Sequence, residues 1–428
     1  MIAEFLEAIS LILTGFMMIY LVRHYLFTLT VLRNSTKHKP TVARRASKYQ
    51  PNVSILIPAC DEELVIGRIL KRMSELTYPA NRLQVIVIDD ASRDDTGKIA
   101  RQYSDRCAYI KVLHRNQEEG RIGKASVLNL GQKYATGEII LCFDADYYPQ
   151  RDIVEQLVKE FEDPRNGAVQ GRIMVMNESE NILTKLVALE RVGGYCVDQQ
   201  ARNSLGLITQ FGGTVGGFRR SLLELLGGWD ESMLTEDTDL TFRVYLAGYK
   251  VSYVNDTECY EEAVENWRAY WKQRYRWSRG HMQCAFKHLV KVLGSKNLRS
   301  REKIDAFLLL NVYFVPVVVL LSWIVSVPLF FLKPPQWFPI AWTMIPFSAY
   351  SFVGNFAPFF EVGIGAYLDG RRRGYWLISL LIFTFLYNTV ICTKALADLL
   401  LSRISGKKRV QWEKTLHLGS GNSQLANY

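Results

Sequence analysis

Several groups of residues in this chain could do chemistry together. Asp89-Asp90 closes one β-forming run, Asp144-Ala-Asp146 closes another, and Pro58-Ala59-Cys-Asp-Glu62-Glu63 closes a third. A lone acidic residue after a strand is ordinarily a helix cap or a turn former. Three strand ends sending carboxylates to one crevice are different, because the charges repel one another unless a cation sits among them. A D-x-D offers two hard oxygen donors, and Mg²⁺ takes one or two carboxylates plus substrate phosphates. Lys124, in Gly123-Lys-Ala-Ser126, opens a helical pattern, where anions are favoured. Together these residue types describe a nucleotide diphosphate held through a divalent metal.

Further along stand Phe211-Gly-Gly-Thr-Val-Gly-Gly-Phe-Arg-Arg220, Thr235-Glu-Asp237 and Gln273-Arg-Tyr-Arg276-Trp277. Clustered glycines let a backbone approach a ligand, although they also serve plain turns. A carboxylate such as Asp237 beside a hydroxyl can act as general base. Arg276 offers a planar fork for a diphosphate, and Trp277 an apolar face for a sugar ring. The stretch Trp267 to Trp277 also reads as an amphipathic helix at a membrane surface. No G-x-x-x-x-G-K-[ST] is present, and no G-x-G-x-x-G follows the first strand. P-loop and dinucleotide-dehydrogenase chemistry drop out.

The elements that must position these residues alternate. Val53–Ile57, Val85–Ile88, Tyr109–Leu113 and Glu138–Phe143 read as strands, with helical patterns over Glu62–Leu76, Thr96–Tyr103 and Gly123–Tyr134 between them. That alternation predicts a parallel α/β sheet, whose ligands bind off the carboxyl ends of the strands.

Around this region the composition changes. The chain has 428 residues and a net charge of +10. Ala306–Leu332, Pro334–Phe360 and Gly374–Thr393 carry no charge and are long enough to cross a bilayer core of about 30 Å. A wholly soluble protein is excluded. Seven scattered Cys without paired spacing exclude a disulfide-stapled secreted module. Phe5–Leu32, interrupted by Arg23 and His24, reads as an uncleaved anchor, since Glu4 and Glu7 replace the basic start of a signal peptide. The basic flank from Arg33 to Lys48 places the polar region on the cytoplasmic side. Arg371–Arg373 should also be inside, yet three later crossings would put Lys407, Lys408 and Arg409 outside. Phe356–Glu361, with its aromatics, proline and charge, is the candidate for interfacial placement that resolves this conflict. The positive charge clusters beside membrane segments, which points to anionic lipid rather than nucleic acid.

The ordered set Asp89/Asp90, Asp144-x-Asp146, Thr235-Glu236-Asp237 and Gln273-x-x-Arg276-Trp277, flanked by membrane helices, resembles the processive family 2 glycosyltransferases. These are the membrane-embedded inverting synthases of cellulose, chitin, hyaluronan and poly-N-acetylglucosamine. The resemblance implies an α/β fold: a GT-A-like cytoplasmic glycosyltransferase domain with an α-helical transmembrane region, in a plasma-membrane, multi-pass protein. It implies an anchor over 1–33, the catalytic domain over 34–260, interfacial helices over 261–304, transmembrane helices over 305–403 and a basic tail over 404–428. Asp90 with Asp89 would contact the uridine of a UDP-sugar, helped by Pro58, Ala59 and Glu62. Lys124 and Asp144 would lie near the diphosphate, and Asp146, with Asp144, would hold Mg²⁺ or Mn²⁺. Gly212, Gly213 and Thr214, within the Gly212–Gly217 stretch, would sit beside the acceptor. Asp237 would be the base, flanked by Thr235 and Glu236. Gln273, Arg276 and Trp277 would hold the diphosphate and the terminal sugar of a growing glycan.

The function so implied is polymerisation of a β-linked polysaccharide, with UDP-glucose favoured over UDP-N-acetylglucosamine. Extrusion through the membrane would follow, with accessory secretion subunits as partners and Trp323, Trp337, Trp342, Tyr350 and Trp376 lining a channel. Trp412-Glu-Lys-Thr415 resembles a motif found after the last helix in the family. The first loop departs from the family, with Cys60-Asp61 where an aromatic and Asn are usual. Three alternatives remain: a chitin- or poly-N-acetylglucosamine-type synthase using UDP-N-acetylglucosamine, a non-processive enzyme adding one sugar to a lipid, and a nucleotide-sensing transporter or channel.

Overall fold

The computed structural model describes residues 1–35, 49–118, 120–332, 355–370, 374–405 and 417–420. Eight strands form one sheet: β1 (Val53–Ala59), β2 (Leu83–Asp90), β3 (Ile110–Arg115), β4 (Ile139–Cys142), β5 (Tyr148–Pro149), β6 (Asn166–Val175), β7 (Gly216–Arg219) and β8 (Lys250–Glu261). Their order is β3-β2-β1-β4-β7-β6-β8-β5. β1 to β4 are the strands anticipated from sequence, and they pair in parallel. Alternate side chains leave a strand on opposite faces. Ile55, Ile57, Val85 and Val87 accordingly pack on one side of the sheet, and Leu56, Ile86, Ile88 and Ile140 on the other. Both faces are covered, which is why these strands read as continuous Val/Ile/Leu runs. Truncating a residue such as Leu56 to Ala would cost about 2–5 kcal/mol.

The other half of the sheet is mixed, a correction to the parallel expectation. β7 runs antiparallel to both β4 and β6, β6 pairs parallel with β8, and β5 closes the edge antiparallel to β8. Gly216 and Gly217, expected beside the acceptor, lie inside β7. A Cβ on Gly217 would overlap the Ile140 carbonyl, and one on Gly216 the Val169 carbonyl. Their missing side chains serve strand packing.

Among the described residues, three helices are long and apolar enough to cross a membrane: Ile2–Ser35, Ser300–Leu332 and Tyr375–Ser405. Helix Asn355–Leu368, which holds the expected interfacial stretch, has 14 residues. Its length of about 21 Å falls short of a ~30 Å core. Glu361 of this helix is buried against His24 of the first, Nδ1 to Oε2 being 2.5 Å. Trp323 and Trp376 are 50% and 68% exposed on helix surfaces. Trp337, Trp342, Tyr350, Arg371–Arg373, Trp412–Thr415 and most of the basic flanks lie outside the described residues.

Two helical features serve the site. Helix Ile182–Val192 starts at Asn181, whose side chain accepts from the backbone of Leu183 and Thr184 in a capping box. It then widens into a π-helix over Gly193–Gln199 before Gln200–Leu205. Helix Trp267–Gly294 packs against helix Tyr375–Ser405, where the Tyr275 hydroxyl donates to Asp398, and it starts from Asn266, which accepts from the Ala269 N–H.

Candidate active site

The carboxyl ends of β1, β2 and β4 open into one cavity of about 440 Å³. Adjacent strand residues face opposite ways, so Asp89 and Asp90 part. Asp90 lines the cavity, its Oδ2 accepting from the Arg121 N–H at 3.0 Å while Oδ1 lies 3.1 Å from Arg115. Asp89 turns away: its Oδ2 pairs with His114 Nδ1 at 2.8 Å and its Oδ1 accepts from the Ser92 N–H. Beside them, Arg121 Nη2 binds Asp61 at 2.7 Å and the Ala91 carbonyl at 3.1 Å. Asp61, Ala91 and Arg121 all hold positive φ, at 52°, 54° and 64°. Such strained non-glycine backbone collects at ligand sites. Asp61, where the sequence departs from the family pattern, is thus a rim residue tied to Arg121.

On the loop after β4, Asp144 and Asp146 both reach the cavity, along with Pro58, Ala59, Cys60 and Glu62. Lys124 Nζ stands 2.5 Å from Asp144 Oδ1 and donates to the Gly213 carbonyl at 3.0 Å. This side chain therefore ties the loop after β4 to the glycine loop. Burial works against its charge, but Asp144 and Glu236 hold its pKa above the ordinary lysine value.

The glycine loop is held from behind by a buried glutamine. Gln170 Oε1 accepts from the Gly212 N–H at 2.7 Å, and its amide donates to the carbonyls of Gly171 and Thr214. Thr214 Oγ1 accepts from the Asp144 N–H at 3.0 Å. Gly213 has φ +84°, and a Cβ there would lie 3.1 Å from Asp237 Oδ2. Asp237 Oδ1 accepts from the Thr238 N–H at 2.7 Å. Burial raises the carboxyls of both Asp237 and Glu236, Glu236 to about 7. Thr235 packs against Gly280, where a Cβ would collide with it. That close approach seats helix Trp267–Gly294 on the Thr235–Asp237 turn. Gln273, Arg276 and Trp277 then enter the same cavity. Burial lowers the Arg276 pKa, partly offset by Glu236, Asp237 and Asp144. The Trp277 ring is flanked by two guanidiniums, Arg274 at 4.8 Å and Arg191 at 5.2 Å.

The residues singled out from sequence thus converge on one cavity, Gly212, Gly213, Thr214, Thr235 and Glu236 included. Asp89 is the exception. Burial pushes the Asp146 carboxyl up to about 7, moderated by His417. Asp144 and Asp146 offer carboxylate donors to a divalent cation, and Glu262 Oε2 is buried nearby, without a hydrogen-bond partner among the described residues and 3.7 Å from Arg68. Among the described residues no three His, Cys, Asp or Glu side chains already stand together at ligand spacing. Two carboxylates completed by substrate oxygens are a donor set that Mg²⁺ or Mn²⁺ accepts, so the residues fit such an ion.

Sequence reasoning missed other parts of the wall. His417 follows the last membrane helix, yet its Nδ1 lies 3.3 Å from Glu62 and its Nε2 3.9 Å from Asp146. Burial opposes its charge, but Asp146 and Glu62 hold its pKa at about 9. The N–H groups of Leu418 and Gly419 donate to Glu262 Oε1 at 2.6 and 3.0 Å. The only signal was position, five residues after Trp412 in the motif resembling the family's. Arg191, paired with Glu261 at 2.5 Å, and Tyr195 had no signal at all. His281, stacked 4.4 Å from Tyr313, has its pKa lowered to about 4 by burial and lines the cavity as a neutral ring.

Comparison with known proteins matches residues 139–357 to a family described as glycosyl transferase family group 2. A probable glycosyltransferase of Bacillus subtilis is 35% identical over 296 residues, 68% of this chain and 70% of that protein. A beta-monoglucosyldiacylglycerol synthase of Trichormus variabilis is 30% identical over 375 residues, 87% of this chain and 77% of that one. Among solved structures, a mannosyltransferase from Pyrobaculum calidifontis, in complex with GDP-Man and Mn²⁺, superposes with a TM-score of 0.58 at 23% identity, covering 86% of this chain and 97% of that one. That likeness is one of fold, a GT-A-like α/β domain with a mixed sheet. The chain belongs to glycosyl transferase family group 2 and is a hexosyltransferase.

Proposed function

We propose that this protein transfers a single glucose from UDP-glucose to the free hydroxyl of a diacylglycerol-type membrane lipid, inverting the anomeric carbon to the β configuration. One observation carries the reading. The cavity that gathers the donor carboxylates is also walled by Arg23, Leu309, Val312 and Tyr313, which belong to helices able to cross a membrane. A lipid hydroxyl can reach Asp237 from the bilayer side, while the nucleotide enters from the strand ends. Similarity to glycolipid synthases over 87% of the chain supports the same acceptor class.

The polymerising reading loses its main support. An alignment covering 87% of the chain necessarily spans Gln273 to Trp277, so that segment lies within the region similar to an enzyme named for adding one glucose. Trp277, expected beneath the terminal sugar of a glycan, already stacks with Arg191 and Arg274. Single transfer needs neither a channel nor secretion subunits.

In the mechanism, Asp237 takes the proton of the acceptor hydroxyl, and that oxygen attacks the anomeric carbon opposite the diphosphate. The bond from the anomeric carbon to the phosphate oxygen breaks, and UDP leaves with the electron pair. Raised by burial, the Asp237 carboxylate is a stronger base than an exposed one. Lys124 and Arg276 stand where the leaving charge develops, the kind of preorganised stabilisation that contributes most in such reactions. Asp90 and the Pro58–Glu62 loop hold the uridine end. Asp146 and Asp144 would hold the divalent cation, which supplies charge neutralisation of the diphosphate when bound. Gly213 lets the acceptor approach Asp237 closely.

The test is UDP release by the purified full chain with Mg²⁺ or Mn²⁺, across UDP-glucose, UDP-N-acetylglucosamine and GDP-mannose, with and without dioleoylglycerol in mixed micelles. Release from UDP-glucose that rises with the lipid supports the proposal. Release indifferent to lipid with every donor would end it.

A further inference from the structure

At its membrane end the cavity wall holds a buried charge cluster that the mechanism above does not use. Arg23, on the amino-terminal helix, donates through Nη2 to both oxygens of Asp198, at 2.7 and 2.9 Å. Asp198 also accepts from Arg202 Nε at 2.7 Å, and Arg202 Nη1 donates to Asp305 Oδ2 at 2.5 Å. Two cations thus face two anions and the charges cancel. Hydrogen-bonding capacity does not cancel: among the described residues, Arg23 Nε and Arg202 Nη2 are buried donors without a hydrogen-bond partner. Both side chains are more than nine-tenths buried, and both line the cavity. A buried donor left unmet is costly, and a ligand seated against these two side chains would relieve that cost.

The neighbouring backbone suits the same purpose. Asp198 and Gln199 lie on the π-helix, a local widening found chiefly at functional sites. Gln199 donates to the Gln210 carbonyl at 2.7 Å, and Gln210 Nε2 donates to Thr238 Oγ1 at 2.8 Å, one residue from Asp237. Through Gln199 and Gln210 the helix segment that carries Asp198 is therefore tied to the turn that carries the base.

We propose that Arg23, Asp198 and Arg202 form the acceptor headgroup site, and that it takes an uncharged, oxygen-rich headgroup such as the glycerol part of a neutral lipid. The spare guanidinium N–H groups donate to the lipid's ester or hydroxyl oxygens and aim its free hydroxyl at Asp237. A lipid phosphate is disfavoured, because the cluster offers no net positive charge and would set the phosphate against Asp198 and Asp237. This rests on the lipid-glycosylation reading above and specifies where the acceptor binds and which acceptor is selected.

The experiment uses the full chain in micelles with UDP-glucose, comparing dioleoylglycerol with an isoprenyl phosphate, for the wild type, Arg23→Lys and Arg23→Leu. Arg23→Lys retains the ion pair to Asp198 and loses the Nε donor. The expected result is glycolipid from dioleoylglycerol alone, with Arg23→Lys raising the acceptor KM about three- to tenfold and leaving the donor KM within about twofold. An unchanged acceptor KM in Arg23→Lys would overturn the headgroup assignment, since a purely structural ion pair predicts that lysine substitutes fully. Preference for the isoprenyl phosphate would overturn the neutral-lipid selection while leaving glycosyl transfer intact. Absence of glycolipid from either acceptor, with UDP still released, would strike the underlying reading instead. Should Arg23→Leu fail to fold, Arg23→Lys alone decides.

Discussion

His417 Nε2 stands 3.9 Å from Asp146 Oδ2, although β5 to β8 and helix Tyr375–Ser405 lie between the two residues in the chain. The segment that follows the membrane thus returns to the donor site, fixed there by the Leu418 and Gly419 N–H groups on Glu262. His417→Ala should raise the Mn²⁺ concentration needed for half-maximal activity about 10- to 100-fold, the usual effect of removing a side chain that supports metal ligands. Titrating activity against Mn²⁺ in chelator-treated protein checks this. Superimposable curves for variant and wild type would remove His417 from the site.

Asp237→Asn keeps the shape of the carboxylate and removes its basicity. Transfer should fall about 10²- to 10⁴-fold, the range for general-base loss. Binding of UDP-glucose, followed by calorimetry with Mn²⁺ present, should change little. A variant that retains wild-type turnover would exclude Asp237 as the base.

The pH profile follows from the same buried pair. Burial raises Asp237 and Glu236 above the ordinary carboxylate range, Glu236 to about 7. The base works only when ionised, so activity is lost as pH falls through the raised value, and the acid limb should lie well above pH ~4. Stability runs the other way. A carboxylate whose pKa is raised by folding binds more protons in the native state, so its ionisation weakens the fold as pH rises through that interval. A pH–rate profile with its acid limb near ~4 would contradict the burial argument.

Gly213 carries two separate demands, a φ of +84° and a clearance of 3.1 Å between any Cβ and Asp237 Oδ2. Gly213→Ala should cost about 1–2 kcal/mol for the left-handed backbone and lower activity more than stability accounts for. Gly217→Ala should instead lower the melting temperature, because its Cβ would strike the Ile140 carbonyl within the sheet. Thermal melts beside initial rates separate the two. Equal activity loss per degree of destabilisation in both variants would refute the distinction.

Much of the donor half was legible because the chain writes it locally. Continuous Val/Ile/Leu runs end in acids, and the helical patterns between them give the parallel half of the sheet. The Asp89-Asp90 pair shows where that reading stopped too soon, since the two-residue repeat of a strand lets only one of them face the cavity. β6 was missed because Gln170, Gly171 and Arg172 break its apolar pattern. Those polar residues are there to brace the glycine loop and to pair with Glu258. His417, Arg191 and the Arg23–Asp198 pair depend on contacts between segments far apart in the chain, which no local pattern records. The Gln273–Trp277 motif was legible as part of the cavity wall, but the number of sugars transferred was not, because residues lining one cavity say nothing of how many sugars follow.

Product size tests the central claim most directly. The full chain, incubated with UDP-glucose, Mn²⁺ and dioleoylglycerol, is extracted and examined by mass spectrometry. The account predicts a lipid heavier by one hexose, accumulating in proportion to UDP released. A ladder of hexose additions, or long polymer with no glycolipid, would contradict it.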